Sequence, residues 1–169
     1  MMSNIKEYLG EIRDRLPKKA NKDSELKLIC IFFPEEIVKL SSPDWHTIGR
    51  KLAQYNPEYL EIYKDKIGAW RFIGRDLAQY NPKYLEKYKD KIDAYDWDDI
   101  GAVLAEYKPD YLEIYEDKIT NWEWIGRVLA EYNPVYLEKH QDKIEDWEEI
   151  GRVLAEYNPE YFEQFQEYF

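Results

Sequence analysis

Five tryptophans, Trp45, Trp70, Trp97, Trp122 and Trp147, stand 25, 27, 25 and 25 residues apart. Four residues after each comes a glycine, in the series Gly49, Gly74, Gly101, Gly126 and Gly151. A fixed period of about 25 residues constrains a chain more than any composition does, because it marks a stacked repeat. Each copy is then a small element that cannot bury its apolar side alone and is completed by its neighbour.

Within one copy, Trp122, Ile125, Gly126, Leu129 and Ala130 fall at i, i+3, i+4, i+7 and i+8, one apolar stripe on a helix. Asn121 precedes that stripe as a helix cap, as Asp44, Asp96 and Asp146 do in other copies. Ala69 holds the place in the second copy, so that helix start is expected to be weaker. Asn133-Pro134 closes the first helix and opens a second, with the asparagine as its cap and the proline at its first position. The same dipeptide stands at Asn56-Pro57, Asn81-Pro82 and Asn158-Pro159, and Lys108-Pro109 departs from it. Tyr136, Leu137, His140 and Ile144 form the second stripe. The expected unit is a hairpin of two helices, each of roughly three turns. Gly126, on the packed face, is expected to admit a neighbouring helix or a large ring.

The fold class that follows is all-α, an α-solenoid of short helical hairpins. Its repeats are 44–68, 69–93, 96–120, 121–145 and 146–169, forming one continuous domain over 44–169. Residues 1–43 are read as an N-terminal helix with Ile5, Leu9, Ile12 and Leu16 on one face, a basic connector, and a degenerate capping hairpin. In that hairpin Ile29, Cys30 and Ile37 align with Leu52, Ala53 and Leu60. The crowded aromatics Phe162, Phe165, Tyr168 and Phe169 are read as closing the last copy, with a homodimer through them as the alternative.

A hydrophobic fraction of 44% and an aromatic fraction of 17% suffice for a core. A single cysteine, Cys30, rules out an intramolecular disulfide and points to a reducing, cytoplasmic setting. The opening residues are amphipathic and charged, so no leader is expected, and the apolar run from Leu28 to Phe33 is too short to cross a bilayer. Charge is asymmetric. Residues 1–43 carry 8 basic and 7 acidic side chains, residues 44–95 carry 10 and 8, and residues 96–169 carry 6 and 20, a net of −14 in that last stretch.

Positions common to the copies are read as scaffold. They include Tyr55, Tyr80, Tyr107, Tyr132 and Tyr157, expected to be buried with a partner for each hydroxyl. The glutamates Glu61, Glu86, Glu113, Glu138 and Glu163 are expected to pair with Arg50, Arg75, Arg127 and Arg152 across the hairpin. Function is sought where copies differ. The candidate partner-binding residues are Asp98, Asp99, Glu106, Glu116, Glu123, Trp124, Glu131, Glu148, Glu149 and Glu156. Trp124 and Phe72 lie off the main stripe, as anchors or as fillers between hairpins. His140 replaces a tyrosine or phenylalanine and is read as core. No phosphate loop, zinc motif, EF-hand or catalytic set is found, so no enzyme, metal or cofactor is expected.

An acidic surface disfavours direct nucleic-acid binding but suits the opposite role. Three hairpins about 10 Å apart span roughly 30 Å, over which duplex DNA carries about 18 charges. The net of −14 is of the same order. The pattern W-x-x-I-G-R-x-L-A-x-Y-N-P-x-Y-L-E followed by D-K-I, over 44–169, resembles tandem helical-hairpin repeats of phage and mobile-element proteins. That resemblance implies an inhibitor of host defence nucleases, of the anti-CRISPR kind, working as a nucleic-acid mimic on a partner with a basic surface. The competing class is a protein–protein scaffold that holds a peptide or domain.

Overall fold

The computed structural model describes residues 23–168, and among them all regular structure is helical, with no strand. The helix expected over residues 1–16, the connector at 17–22 and Phe169 lie outside the described residues. The chain forms two compact units, Met1–Asn81 and Pro82–Phe169.

In the first unit, α1 (Asp23–Phe32), α2 (Trp45–Tyr55), the single turn α3 (Leu60–Tyr63) and α4 (Trp70–Tyr80) follow in order. Helix α2 packs on α1 before it and α4 after it. The apolar stripe supplies the core, with Ile29, Ile48, Leu52, Leu60, Ile73 and Leu77 shielded from solvent. The second unit begins with α5 (Leu85–Tyr88), then α6 (Trp97–Tyr107), α7 (Trp122–Tyr132), α8 (Glu148–Tyr157) and α9 (Pro159–Phe162). Helix α7 lies against α6 on one side and α8 on the other, over a core of Ile100, Leu104, Leu112, Ile125, Leu129 and Ile150.

The caps follow sequence where the residue allows it. The Asp44 carboxylate accepts from the Thr47 backbone N–H at 3.2 Å and from its hydroxyl at 2.8 Å, and Asn121 Oδ1 accepts from the Trp124 N–H at 3.0 Å. Asp96 makes no such bond. Asp146 accepts from Glu148 N, two residues on where Asp44 and Asn121 reach three, and α8 starts at Glu148, one residue later than expected. Ala69 caps nothing and sits at φ 55°, in the left-handed region, where a Cβ costs about 1–2 kcal/mol.

The second half of each hairpin differs from expectation. A helix of three turns is absent; instead Pro57–Tyr59 is a 3-10 turn running into one turn of α-helix, and Pro109–Ile114 and Glu138–Lys143 are wholly 3-10. The buried positions explain why. Pro57, Leu60 and Tyr63 are spaced by three, as are Pro82, Leu85 and Tyr88, and Pro134, Leu137 and His140, and all are buried. Three residues per turn is 3-10 geometry, which stacks such positions on one face. Each segment then ends as its isoleucine turns extended, Ile92 at φ −97° and ψ 124° and Ile144 at φ −100° and ψ 118°.

The residue that closes this face packs its ring on the tryptophan that opened the same hairpin, tilted in Trp45–Tyr63 and stacked in the other three pairs. Ring centroids are 5.5 Å apart for Trp45–Tyr63, 5.3 Å for Trp97–Tyr115, 5.0 Å for Trp122–His140 and 5.6 Å for Trp147–Phe165. His140 is thus a core residue, 1% exposed. The tyrosines expected to be buried are exposed instead: Tyr55, Tyr80, Tyr107, Tyr132 and Tyr157 all lie at the outer end of their helices. On a helical wheel each lies seven residues after the buried isoleucine, at the edge of the stripe, and each is exposed as the last residue of its helix. Phe165 is buried, and Tyr168 stacks on Trp147 at 4.7 Å while its hydroxyl donates to Gln141 Oε1 at 2.5 Å, so these two rings close the last hairpin.

The Asn-Pro asparagine is the second correction. Its side chain makes no cap for the segment after it. Its Nδ2 donates to two carbonyls at the end of the preceding long helix. Asn56 reaches Cys30 O and Ile31 O at 2.7 and 2.9 Å, and Asn81 reaches Ala53 O and Gln54 O at 2.7 and 3.0 Å. Asn133 takes Ala105 O and Glu106 O, and Asn158 takes Ala130 O and Glu131 O, each pair at 2.7 and 2.9 Å. Helix C-termini leave carbonyls without partners, and here the next hairpin supplies the donor.

The nearest neighbours of Gly126 are isoleucines. A Cβ there would stand 2.7 Å from Ile150 Cδ1 and 3.0 Å from Ile144 Cδ1. Gly49 meets Ile73 and Ile67 in the same way, at 2.8 and 2.9 Å. Arginine pairing also departs from expectation: Arg50 Nε donates to Asp76 at 2.7 Å, and Arg152 pairs with Glu148 and Glu149. Glu61 and Glu86 pair instead with Lys64 and Lys89, and Glu113 with Lys139.

Candidate acidic and aromatic face of the second unit

Nine of the ten acidic and aromatic positions singled out from sequence fall into two groups on the second unit, and Glu116 lies outside both. The first-turn group serves internal bonding. Asp98 on α6 accepts from the backbone N–H of Thr120 at 2.7 Å, its hydroxyl at 2.8 Å and the N–H of Asn121 at 3.0 Å. Burial pushes the Asp98 carboxyl up, but those donors outweigh it and leave its pKa below the ordinary value of 3.8. Glu123 on α7 repeats the arrangement with the N–H of Glu145 at 3.3 Å. Thus Asp98 and Glu123 each tie the connector that leads to the next helix. Glu148 and Glu149 are held by Arg152. Asp99 and Trp124 are half-buried. Glu116, exposed, lies 3.6 Å from Lys143.

The last-turn group is different. Glu106, Glu131 and Glu156 end α6, α7 and α8, each followed by an exposed tyrosine: Tyr107, Tyr132 and Tyr157 at 46%, 51% and 53%. The side-chain hydrogen bond to Glu131 and the charges of Glu131 and Glu106 push the Tyr132 hydroxyl up to about 12. The charge of Glu156, a hydrogen bond to it and the charge of Glu131 raise that of Tyr157. Tyr132 and Tyr157 therefore each lie in the field of their own glutamate and of the one on the preceding helix. The three helices carry no basic residue in the last turn. A carboxylate there opposes the negative end of the helix dipole, a cost of about 0.3–1 kcal/mol each. Their interaction with the dipole is unfavourable, and Glu131 and Glu156 accept hydrogen bonds from the exposed tyrosines beside them.

In the first unit the corresponding residues are Gln54-Tyr55 and Gln79-Tyr80. There Lys27 Nζ lies over the Tyr55 ring, 5.0 Å from its centroid. Phe72 also faces a neighbour, meeting His46 edge-on at 5.3 Å and Arg50 at 6.0 Å, while 39% exposed. The tyrosine row was missed as a surface feature in the sequence because its repetition suggested packing. Its place at the last residue of each helix, directly after a polar Gln or Glu, is the signal that marks it as exposed.

Among the described residues no group of three or more His, Cys, Asp or Glu is placed to hold a metal ion, and no helix is long and apolar enough to cross a membrane. Burial pushes the Cys30 thiol up to about 12, which leaves it a protonated core residue at neutral pH. The chain matches no known protein family, no curated protein and no solved structure.

Proposed function

We propose that the chain is a non-catalytic, cytoplasmic α-solenoid of five hairpins with a degenerate first one, which binds a protein through its acidic face and occupies a basic, nucleic-acid-binding surface. The observation that carries this reading is the row Glu106, Glu131 and Glu156, kept at helix ends where the dipole opposes it. Residues retained against their local energetics point to a role outside the fold. The row lies in the stretch with a net charge of −14, and its helices pack at about 8–10 Å. Negative charges at that spacing, backed by exposed rings, compete with a phosphate backbone for arginine and lysine. The phage-type inhibitor of a host defence nuclease fits this chemistry.

The test is displacement. A labelled duplex bound to each of a panel of basic nucleic-acid-binding proteins is titrated with the chain at low and high salt. Displacement that weakens with salt, and that the triple variant Glu106→Gln, Glu131→Gln, Glu156→Gln loses, supports the reading. Displacement untouched by the triple variant, or none from any member of the panel, refutes it.

A further inference from the structure

We propose that this face reads a basic segment in extended form, one cation per hairpin, with each cation seated on the ring of Tyr107, Tyr132 or Tyr157 beside its glutamate. The inference rests on the preceding reading and names what the face selects.

Three observations lead there. The first is register. Asn133 and Asn158 reach back over the same offsets to Ala105 and Glu106, and to Ala130 and Glu131. Consecutive helix ends are therefore held in equivalent places, and the three tyrosines repeat at the helix spacing of about 8–10 Å. The second is chemistry. Each place combines an aromatic face, a carboxylate and the negative end of a helix, and all three attract a cation. The third is an occupant. In the first unit the same position of the hairpin already holds one, with Lys27 Nζ 5.0 Å above Tyr55. There the neighbouring residue is Gln54, and Lys27 also hydrogen-bonds the Tyr55 hydroxyl and lies in the field of Asp23.

The spacing then selects the ligand. An extended strand rises about 3.3 Å per residue, so every third side chain is about 10 Å from the last. A polyproline II segment gives about 9 Å for the same step, with three residues per turn and all such side chains on one edge. A segment with lysine or arginine at every third position matches the row of rings; consecutive lysines place their charges too close together and on different sides.

Two serine-lysine peptides of equal length and charge test this. One has a lysine at every third position, and the other has its three lysines consecutive. Binding is measured by fluorescence anisotropy at low salt with the full chain. The spaced peptide is expected to bind about tenfold tighter, from two further cation–ring contacts. Tyr132→Leu, which keeps apolar bulk at an exposed site, should reduce that preference severalfold, and Tyr132→Phe should preserve it. Equal affinity for the two peptides, or a preference that Tyr132→Leu leaves intact, overturns the inference. If neither peptide binds while nucleic acid is still displaced from a basic protein, the extended-segment inference falls and the reading of the face stands. If no basic protein responds either, both fall.

Discussion

At the scale of single residues, asparagine carries more of the structure than its place in a turn suggests. Asn133 satisfies two carbonyls at the end of α6, and removal of its amide leaves both without a partner. Asn133→Ala is expected to cost about 1–3 kcal/mol, read from urea unfolding, and Asn133→Asp at neutral pH should cost more because it faces those oxygens with charge. Ala69 is the opposite case, a residue whose replacement should help. Asn tolerates the left-handed region and can cap α4, so Ala69→Asn should stabilise by about 1 kcal/mol; a lower melting temperature would contradict the account. His140 adds a pH dependence. Its Nε2 has no hydrogen-bond partner, and burial lowers its pKa below 6.5, against the pull of Glu113, Glu116 and Asp142 and with the push of Lys139. The unfolded chain takes up the proton as pH falls through about 6.5, while the folded histidine resists. The unfolded state then binds more protons, so stability present above that pH is lost as pH falls towards the lowered folded pKa. His140→Phe, the residue type of Phe165, should remove this loss. The gap in urea midpoint between variant and parent should widen from neutral to mildly acid pH, and a constant gap would be inconsistent with it.

At the scale of elements, each long helix is an ordinary amphipathic helix, and the contact between helices is set by glycine against isoleucine. A methyl group on Gly126 would press on the ends of Ile150 and Ile144. Gly126→Ala should therefore destabilise despite a gain of about 1 kcal/mol in helix propensity, and Gly126→Leu should do so by about 1–3 kcal/mol or more. Shortening the neighbour isolates the cause. Ile150→Val removes Cδ1, so the double variant should lose less than the two single changes combined, and strict additivity in a double-mutant cycle would refute the contact. The return segments show a different economy. With buried residues at every third place, a 3-10 path places Pro134, Leu137 and His140 on one face in the fewest residues.

At the scale of the whole molecule, charge is the dominant asymmetry. The net of −14 over residues 96–169 repels itself, and the helix-end glutamates add to that. Thermal stability should rise from low to moderate salt as the repulsion is screened. The triple change of Glu106, Glu131 and Glu156 to glutamine should stabilise at low salt, by about 0.3–1 kcal/mol per site, and much less at high salt. The same variant is the one expected to lose binding. A stability gain joined to a loss of function is the signature of a surface kept for a partner; calorimetry and the displacement assay on one protein sample check both.

How far each feature can be read from sequence depends on the range of the interaction that sets it. Helical stripes such as Trp122, Ile125, Leu129 and Ala130, the caps Asp44 and Asn121, and the charge gradient are local, and the amino-acid order alone declares them. His140 was legible as core by comparison with Tyr63, Tyr115 and Phe165. The asparagine could not be assigned that way, because its partners Ala105 and Glu106 lie 28 and 27 residues away and only packing brings a donor to an unfilled helix end. The same holds for Asp98 and Glu123, which looked like surface charge until their bonds to the next connector were seen. The tyrosine row shows how repetition misleads: a residue present in every copy can be on the outside of every copy. Local periodicity determines which face of a helix is apolar; which polar side chains are consumed within the fold, and which remain for a partner, is decided only when one hairpin is laid against the next.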